Sequence, residues 1–398
     1  MMLLGKLKYG FLLFVLLVNA GRSFSLDIRI GLYHEHLVNA FLFTPADGDY
    51  QVETDEGNLG TCPMGKSWYV MQQKDTLHIR DHEGRWHHTQ KLRFSAPDEY
   101  AYFRLKPALP VLESREYMAD LQVKISMNSL LMINEINLEK YIMGVAETEA
   151  GSRCELECYK VQAILSRTFA FKNLDRHKAE GFHLCDAVHC QAYRGRHIWN
   201  EDVEIGTEVT DGLVLADEDS VLISAAYHAN SGGETRGAEQ AWLNGKHYLR
   251  PVLDPFSLNQ PGARWKKSIP AGEWIRYLHT NGVLIGELLD TSILEMPVKH
   301  RQDYYLFGQD SLLLSKIRDD FQLRSDFFGV SFEGDQVVLT GMGYGHGVGL
   351  SQEGAMEMAR KGYHYTAILN YYYHQIQIIH YMFLVEADKL AVDIINLP

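Results

Sequence analysis

The sequence predicts an α+β protein. A β-rich N-terminal region precedes a helix-pair core whose glycine-rich loops and a helical excursion form a cleft. Three observations predict it. Up to about Arg115 the pattern is mostly short strands, as where Ile28, Ile30 and Leu32 alternate with Asp27, Arg29 and Gly31, the period of a half-buried strand. After Asn137 the apolar spacing becomes four and three (Leu138, Ile142, Val145, Ala146), the period of an amphipathic helix. Near the end, Val337, Val338 and Leu339 lead into a run of alternating glycines from Gly341 to Gly349, followed by a further helical pattern over 351–361.

The N-terminus carries Lys6 and Lys8, an apolar stretch over 11–18, and then Asn19 and Ala20. A basic start, a short apolar run and a small-residue exit describe a secretory signal peptide over residues 1–25. The run is too short to span a bilayer, which takes about 20 residues. The expectation is an exported protein of the periplasm or cell envelope, with no transmembrane segment beyond the leader. Residues 26–120 then read as the β-rich region and 121–398 as the catalytic region. A net charge of −13 argues against nucleic acid as a partner, because phosphate binding needs a basic face. It is compatible with polysaccharide.

Within the first region, residues 90–95 and 101–105 read as further strands, and Pro45, Asp47 and Gly48 as a turn. Leu121, Val123 and Ile125 make a strand, with a turn at Asn134-Glu135. Asn137 caps the first helix, and Gly151 ends it. Ser152 and Glu155 form a capping-box pair for a second helix running to about Leu174. Glu149 sits at the bend between the two. Residues 181–195 form a loop rich in His, Cys and Gly. Strands follow over 212–216 and 221–227, and a helical excursion over 272–290.

Glu149 ends an apolar-faced helix beside a glycine turn. A carboxyl there that is desolvated holds its proton near neutral pH and can act as a general acid; on composition alone Glu147 has an equal claim. Cys185, His189 and Cys190 crowd into one short loop. Mixed thiolate and imidazole donors suit zinc, and in an oxidising compartment a Cys185–Cys190 disulfide competes. Cys154 and Cys158 fall one turn apart on the predicted second helix, where a mutual disulfide would be strained. The glycines around His346 lack both GxGxxG spacing and the Lys-Ser/Thr pair of a phosphate loop. His346 reads as a ligand for a sugar hydroxyl, as an aid to Glu149, or as a histidine pinned in a tight turn. Ser231, before two glycines, lacks the GxSxG elbow and reads as a polar residue of a cleft loop.

Together these pieces resemble the SpoIID/LytB family over roughly residues 121–373. The resemblance rests on Tyr141-Ile142-Met143-Gly144-Val145-Ala146-Glu147-Thr148-Glu149, on residues 160–168, on Cys185-Asp186 and His189-Cys190-Gln191-Ala192-Tyr193, and on Tyr227-His228 with Ser231-Gly232-Gly233-Glu234-Thr235 and Trp242. Gly345-His346-Gly347-Val348-Gly349-Leu350-Ser351-Gln352 completes it. The likeness implies a lytic transglycosylase acting on peptidoglycan strands stripped of peptide, with Glu149 as the general acid/base. It implies a structural zinc on Cys185, His189 and Cys190, and a cleft lined by His346, Tyr227, Ser231, Ser351 and Gln352. The sequence departs from the family at Ala150-Gly151-Ser152, where Met-Pro is usual. The alternative function is a non-catalytic enhancer of a cell-wall amidase.

Overall fold

The computed structural model describes residues 26–198, 200–241, 245–283, 294–307 and 310–385. The expected leader, Trp242 and the end of the helical excursion lie outside these. The chain packs as two compact units. One takes the chain to Tyr141 together with His177–Ala187; the other takes Ile142–Arg176 and the chain from Val188. The strands that follow Asp120 thus group with the β-rich unit.

That first unit holds two sheets. One runs in the order Leu184–Cys185, Asp27–Leu32, Ser129–Asn137, Asp120–Ser126, Lys91–Ser95, Tyr50–Thr54 and Gly57–Cys62. The other runs Arg115–Met118, Tyr102–Leu109, Ala40–Pro45, Trp68–Gln73, Thr76–Arg80 and Trp86–Thr89. Ile28, Ile30 and Leu32 are buried, as their alternation requires. Their layer closes against the second sheet, where Phe43 stacks on Phe94 at 3.8 Å between ring centroids. Asp186 ties the returning segment down by accepting from Tyr33 N at 2.7 Å and Arg115 Nη1 at 2.7 Å. A cavity of about 430 Å³ on this unit, lined in part by Arg29, Lys91, Arg93 and Lys124, contains none of the candidate site residues.

The turn expected at Asn134-Glu135 is not one. Both residues lie inside the Ser129–Asn137 strand. Asn134 is fully buried and donates to Met118 O at 2.8 Å and Asp120 O at 2.9 Å. Glu135 meets Arg93 at 3.0 Å. Specific partners override the turn preference of the pair. The real turn is Met127-Asn128, both at positive φ.

Helix α1 spans Leu138–Ala150. Asn137 Oδ1 accepts from the N–H groups of Glu139 and Lys140 at 2.9 and 3.3 Å, so the predicted cap holds. Gly151 closes the helix at φ +76°, returning its N–H to Glu147 O at 2.9 Å. Helix α2 spans Leu156–Lys172 and is buried on nearly every side. It starts later than predicted. Glu155 occupies the N-cap with no side-chain bond, so the Ser152–Glu155 capping box does not form. Cys154 therefore lies in the connector rather than on the helix, and it is joined to Cys158 by a disulfide with Cα atoms 6.1 Å apart. The strain expected of two cysteines one helical turn apart does not arise, since that separation is within the ordinary range.

Around α2 the second unit packs the Leu213–Ala216 strand and the helices Gln352–Arg360 and Tyr365–Tyr372. Arg167 donates to Leu213 O at 2.8 Å, and Leu215 N donates to Thr168 Oγ1 at 2.9 Å, satisfying polar groups that α2 carries inward. A three-stranded sheet (Arg264–Pro270, Gln336–Met342, Phe328–Glu333) builds a separate core around Trp274. Its helix, Ala271–Thr280, is the described part of the predicted excursion. Among the described residues no helix is long and apolar enough to cross a membrane.

Gly144 costs α1 helical propensity, and the structure shows what it gains. A Cβ there would lie 2.2 Å from Gly195 O and 2.7 Å from the Tyr193 ring. Gly144→Ala should therefore destabilise the protein by about 1–3 kcal/mol in denaturant unfolding, against the roughly 1 kcal/mol gain that propensity alone gives. A variant as stable as wild type would show that this close approach does not constrain the helix.

Candidate active site

The two glutamates that composition left level are separated by their surroundings. Glu147 is buried, and its carboxylate accepts from Ile198 N at 2.9 Å and Asn200 N at 3.1 Å. Both oxygens hold the loop that leads into the helix Glu201–Glu208, so this carboxylate is structural. Glu149 faces a different set. Its Oε1 accepts from Ala192 N at 3.0 Å, and the Tyr227 hydroxyl and the Gln352 amide also bond to its carboxyl. Burial pushes its pKa above the usual carboxylate range, while these hydrogen bonds and the charge of Arg194 pull the other way.

Tyr227 stands on a two-residue strand paired in parallel with Leu350–Ser351. Its hydroxyl reaches Glu149, Gln191 and Gln162, and burial holds its proton on, so it acts as a donor. Gln352 opens its helix and donates to Glu149 O at 3.3 Å and Gln162 Oε1 at 3.4 Å. Glu149, Tyr227 and Gln352, named from sequence, thus converge. Gln162 and the Ala192 N–H join them unannounced. Gln162 sits on α2 within the block 160–168 that carries the resemblance, but nothing in that block singled it out as a site residue.

His346 comes to the same region, but its ring is engaged by backbone. Val348 N donates to its Nδ1 at 3.1 Å, and the imidazole bonds to the backbone of Tyr227. Burial lowers its pKa to about 4, aided by the charge of Arg318. The ring is thus pinned in its turn by backbone.

Ser231 and Ser351, expected to line the cleft, are both fully buried. The Ser231 hydroxyl donates to Asp254 Oδ2 at 2.7 Å and meets Ser257 Oγ at 2.8 Å. Ser351 caps the Gln352–Arg360 helix, accepting from Gly354 N at 3.3 Å, and also accepts from Ser231 N at 3.2 Å. Their hydroxyls are committed to holding loops together. The reason is local: the glycines beside each serine let backbone close over the side chain. Gly349 is one case, at φ +71° with Ala226 O only 2.1 Å from where a Cβ would stand.

Arg301, which carried no sequence signal, sits under the same loops. It donates to Ser231 O at 2.8 Å and Glu234 O at 2.9 Å, and pairs with Asp326 at 3.1 Å. Arg236 joins Asp326 and reaches Asp303 at 2.7 Å. Asn230 and Tyr344 exchange backbone bonds of 3.0 and 2.8 Å, tying one glycine loop to the other.

The thiol-rich stretch crosses the boundary between the two units, with Cys185 in the first and His189 and Cys190 in the second. Neither Cys185 nor Cys190 is in a disulfide, unlike Cys154 and Cys158. Cys190 Sγ lies 3.7 Å from His189 Nδ1. Two thiols and an imidazole are donors that suit zinc.

Residues 126–216, which contain Glu149 and the thiol-rich stretch, match the family described as Stage II sporulation protein, SpoIID. The chain is 26% identical over 305 residues to Stage II sporulation protein D of Bacillus subtilis (strain 168), covering 73% of this chain and 88% of that protein. It is 26% identical over 260 residues to the protein of the same name from Bacillus amyloliquefaciens, covering 62% and 75%. It is also 26% identical over 287 residues to the Amidase enhancer of Bacillus subtilis (strain 168), covering 58% of this chain and 39% of that protein. The family match falls on the helix that carries Glu149 and the loop that carries Ala192, and the similarity to the Bacillus subtilis sporulation protein runs through most of the chain: in sequence it is similar to the SpoIID family.

Proposed function

We propose that this protein is an exported lytic transglycosylase of the bacterial cell wall, cleaving the MurNAc–GlcNAc bond of peptide-stripped peptidoglycan strands. The observation that carries this reading is the carboxyl of Glu149. Burial favours its protonated form, while Tyr227, Gln352 and the Ala192 N–H give the charged form donors to rest on. A general acid needs both properties, because it gives up a proton and takes one back in a single turnover.

On this mechanism Glu149 protonates the bridging oxygen as the glycosidic bond breaks. As carboxylate it then takes the proton of the sugar's own 6-hydroxyl, which attacks the anomeric carbon to leave a 1,6-anhydro end. No water is consumed and no second carboxylate is required, in contrast to the two-carboxylate glycosidases. The first test is a digest of peptide-free strands and intact sacculi, with mass spectrometry of the products. Wild type should yield anhydro ends, and Glu149→Gln should lose at least about 100-fold in rate. A well-folded wild type that cleaves neither substrate overturns the catalytic reading.

The likeness to an amidase enhancer favours a second reading, in which the protein stimulates a cell-wall amidase without cutting glycan. Adding an amidase to the same digest separates the two: stimulation that survives Glu149→Gln supports enhancement.

The raised pKa of Glu149 sets a pH dependence. The acid must be protonated at the start of the cycle, so the rate should fall as pH rises through its folded-state pKa. Stability has the same sign. A carboxyl whose pKa is raised on folding contributes stability that is full below its unfolded value and is lost as pH rises through its folded value. Glu149→Gln should therefore unfold at a higher temperature than wild type at pH 7, with the difference shrinking toward pH 4. A variant less stable at pH 7 would contradict the burial assigned to this carboxyl.

We also propose that Cys185, His189 and Cys190 bind a structural zinc. The support is the chemistry of the donor set. Zinc would hold the loop leading to Ala192, whose N–H donates to Glu149. Purified protein should carry about one zinc per chain by elemental analysis, and Cys185→Ser should lose it. A metal-free protein with a Cys185–Cys190 disulfide on peptide mapping would overturn this.

A further inference from the structure

We propose that His346 is a positioning residue that holds Tyr227 against Glu149 and makes no contact with the glycan. The inference rests on the reading of Glu149 as the acid and goes beyond it by assigning the histidine of the glycine run.

The imidazole has two nitrogens, and backbone occupies both. Nδ1 accepts from Val348 N at 3.1 Å, which puts the proton of the neutral ring on Nε2. The imidazole also bonds to the backbone of Tyr227, and with Nδ1 acting as acceptor we assign that bond to the Nε2–H. No hydrogen-bonding capacity remains for a sugar hydroxyl. A second imidazole completes the arrangement: His228 donates from Nδ1 to Val348 O at 3.1 Å, its ring 5.5 Å from that of His346. The peptide groups of Val348 are thus gripped on both sides by two histidines, and one of the histidines reaches back to Tyr227. The parallel pairing of Tyr227 with Leu350 makes this a closed loop of contacts.

The surroundings keep both rings neutral. Burial is the main cause at each, and the guanidinium groups of Arg301 and Arg318 further disfavour protonation, with Asp326 opposing at His346. A charged imidazole would have no acceptor for its second proton at Val348 N, so neutrality and the lock require one another. At the far end, Tyr227 donates to Glu149, whose other neighbours are the Ala192 N–H, Gln352 and the charge of Arg194. Moving Tyr227 therefore removes one of few donors from the Glu149 carboxylate.

The test reads the Glu149 carboxyl directly, by ¹³C NMR titration of the full protein, in wild type and in His346→Leu, His346→Gln and Tyr227→Phe. His346→Leu and Tyr227→Phe should each raise the Glu149 pKa by about half a unit or more, since a bond favouring the charged form is lost. The double variant should add nothing further. His346→Gln, which supplies one acceptor and one donor, should restore the wild-type titration. A Leu variant that titrates as wild type while Tyr227→Phe shifts overturns the proposal. Should the Leu variant not fold, ¹⁵N spectra of wild type decide: His346 should be the Nε2–H tautomer and stay neutral from pH 5 to 8. An Nδ1–H tautomer or a midpoint in that range overturns it. In cleavage assays His346→Leu should lower kcat at unchanged KM, and a raised KM with kcat kept would mark a substrate contact instead. The NMR readouts do not depend on cleavage, so a protein that cuts no glycan would sink the acid role of Glu149 and leave the lock to be judged separately.

Discussion

A carboxyl taken out of water is costly unless it is hydrogen-bonded, and the polar groups that cover it must not themselves be left unsatisfied. That constraint organises the second unit. Glu149 sits at the last turn of α1, where the helix would ordinarily hand its side chains to solvent. Instead a loop backbone (Ala192), a tyrosine (Tyr227) and a glutamine (Gln352) cover it. Each is in turn bonded elsewhere: Tyr227 to Gln162 and Gln191, and Gln352 to Gln162. The network closes on α2, the most deeply buried helix of the unit, so the lid over the carboxyl is anchored in core rather than in another loop.

Loops are poor platforms for such a network because they move. Here they are stiffened by buried polar side chains that bind backbone. Ser231, Ser351, Asn230, His228 and His346 each bind backbone in this way, and Arg301 spans two of the segments. The arrangement explains why glycines and small polar residues mingle here. Backbone must pass close enough for short side chains to reach it, and each reach satisfies a group that burial would otherwise leave costly.

Much of this was legible in the sequence where one residue decides one local outcome. The Asn137 cap, the Gly151 stop and the buried alternation of Ile28, Ile30 and Leu32 needed no knowledge of the rest of the chain. Glu149, Tyr227 and Gln352 were named together because the order of motifs resembles a family, not because spacing showed them to meet. Asn134-Glu135 misled, since a turn-prone pair was held extended by partners from other strands. Ser231 and Ser351 misled for a related reason. A serine beside glycines looks open in sequence, but Asp254 and Ser257, more than twenty positions on, take up the Ser231 hydroxyl. Arg301 was invisible: its worth lies in contacts with residues 25 to 70 positions away, and nothing near it announces them. The Cys154–Cys158 disulfide turned on where α2 begins, a boundary of one or two residues that sequence patterns resolve least well.

The edge strand of the seven-stranded sheet has a consequence for how the chain folds. Leu184 and Cys185 add in parallel beside Ile30 and Gly31, and the neighbouring bond from Arg29 to His183 spans 154 residues. Between them the chain makes α1 and α2, of which all but the first four residues of α1 count with the other unit. The β-rich unit cannot be finished as it emerges; its last strand arrives only after the helices have been made. Closing so long a loop is slow compared with forming local hairpins, so the early sheet waits with one edge bare. That is the interval in which an unpaired edge is open to the wrong partner.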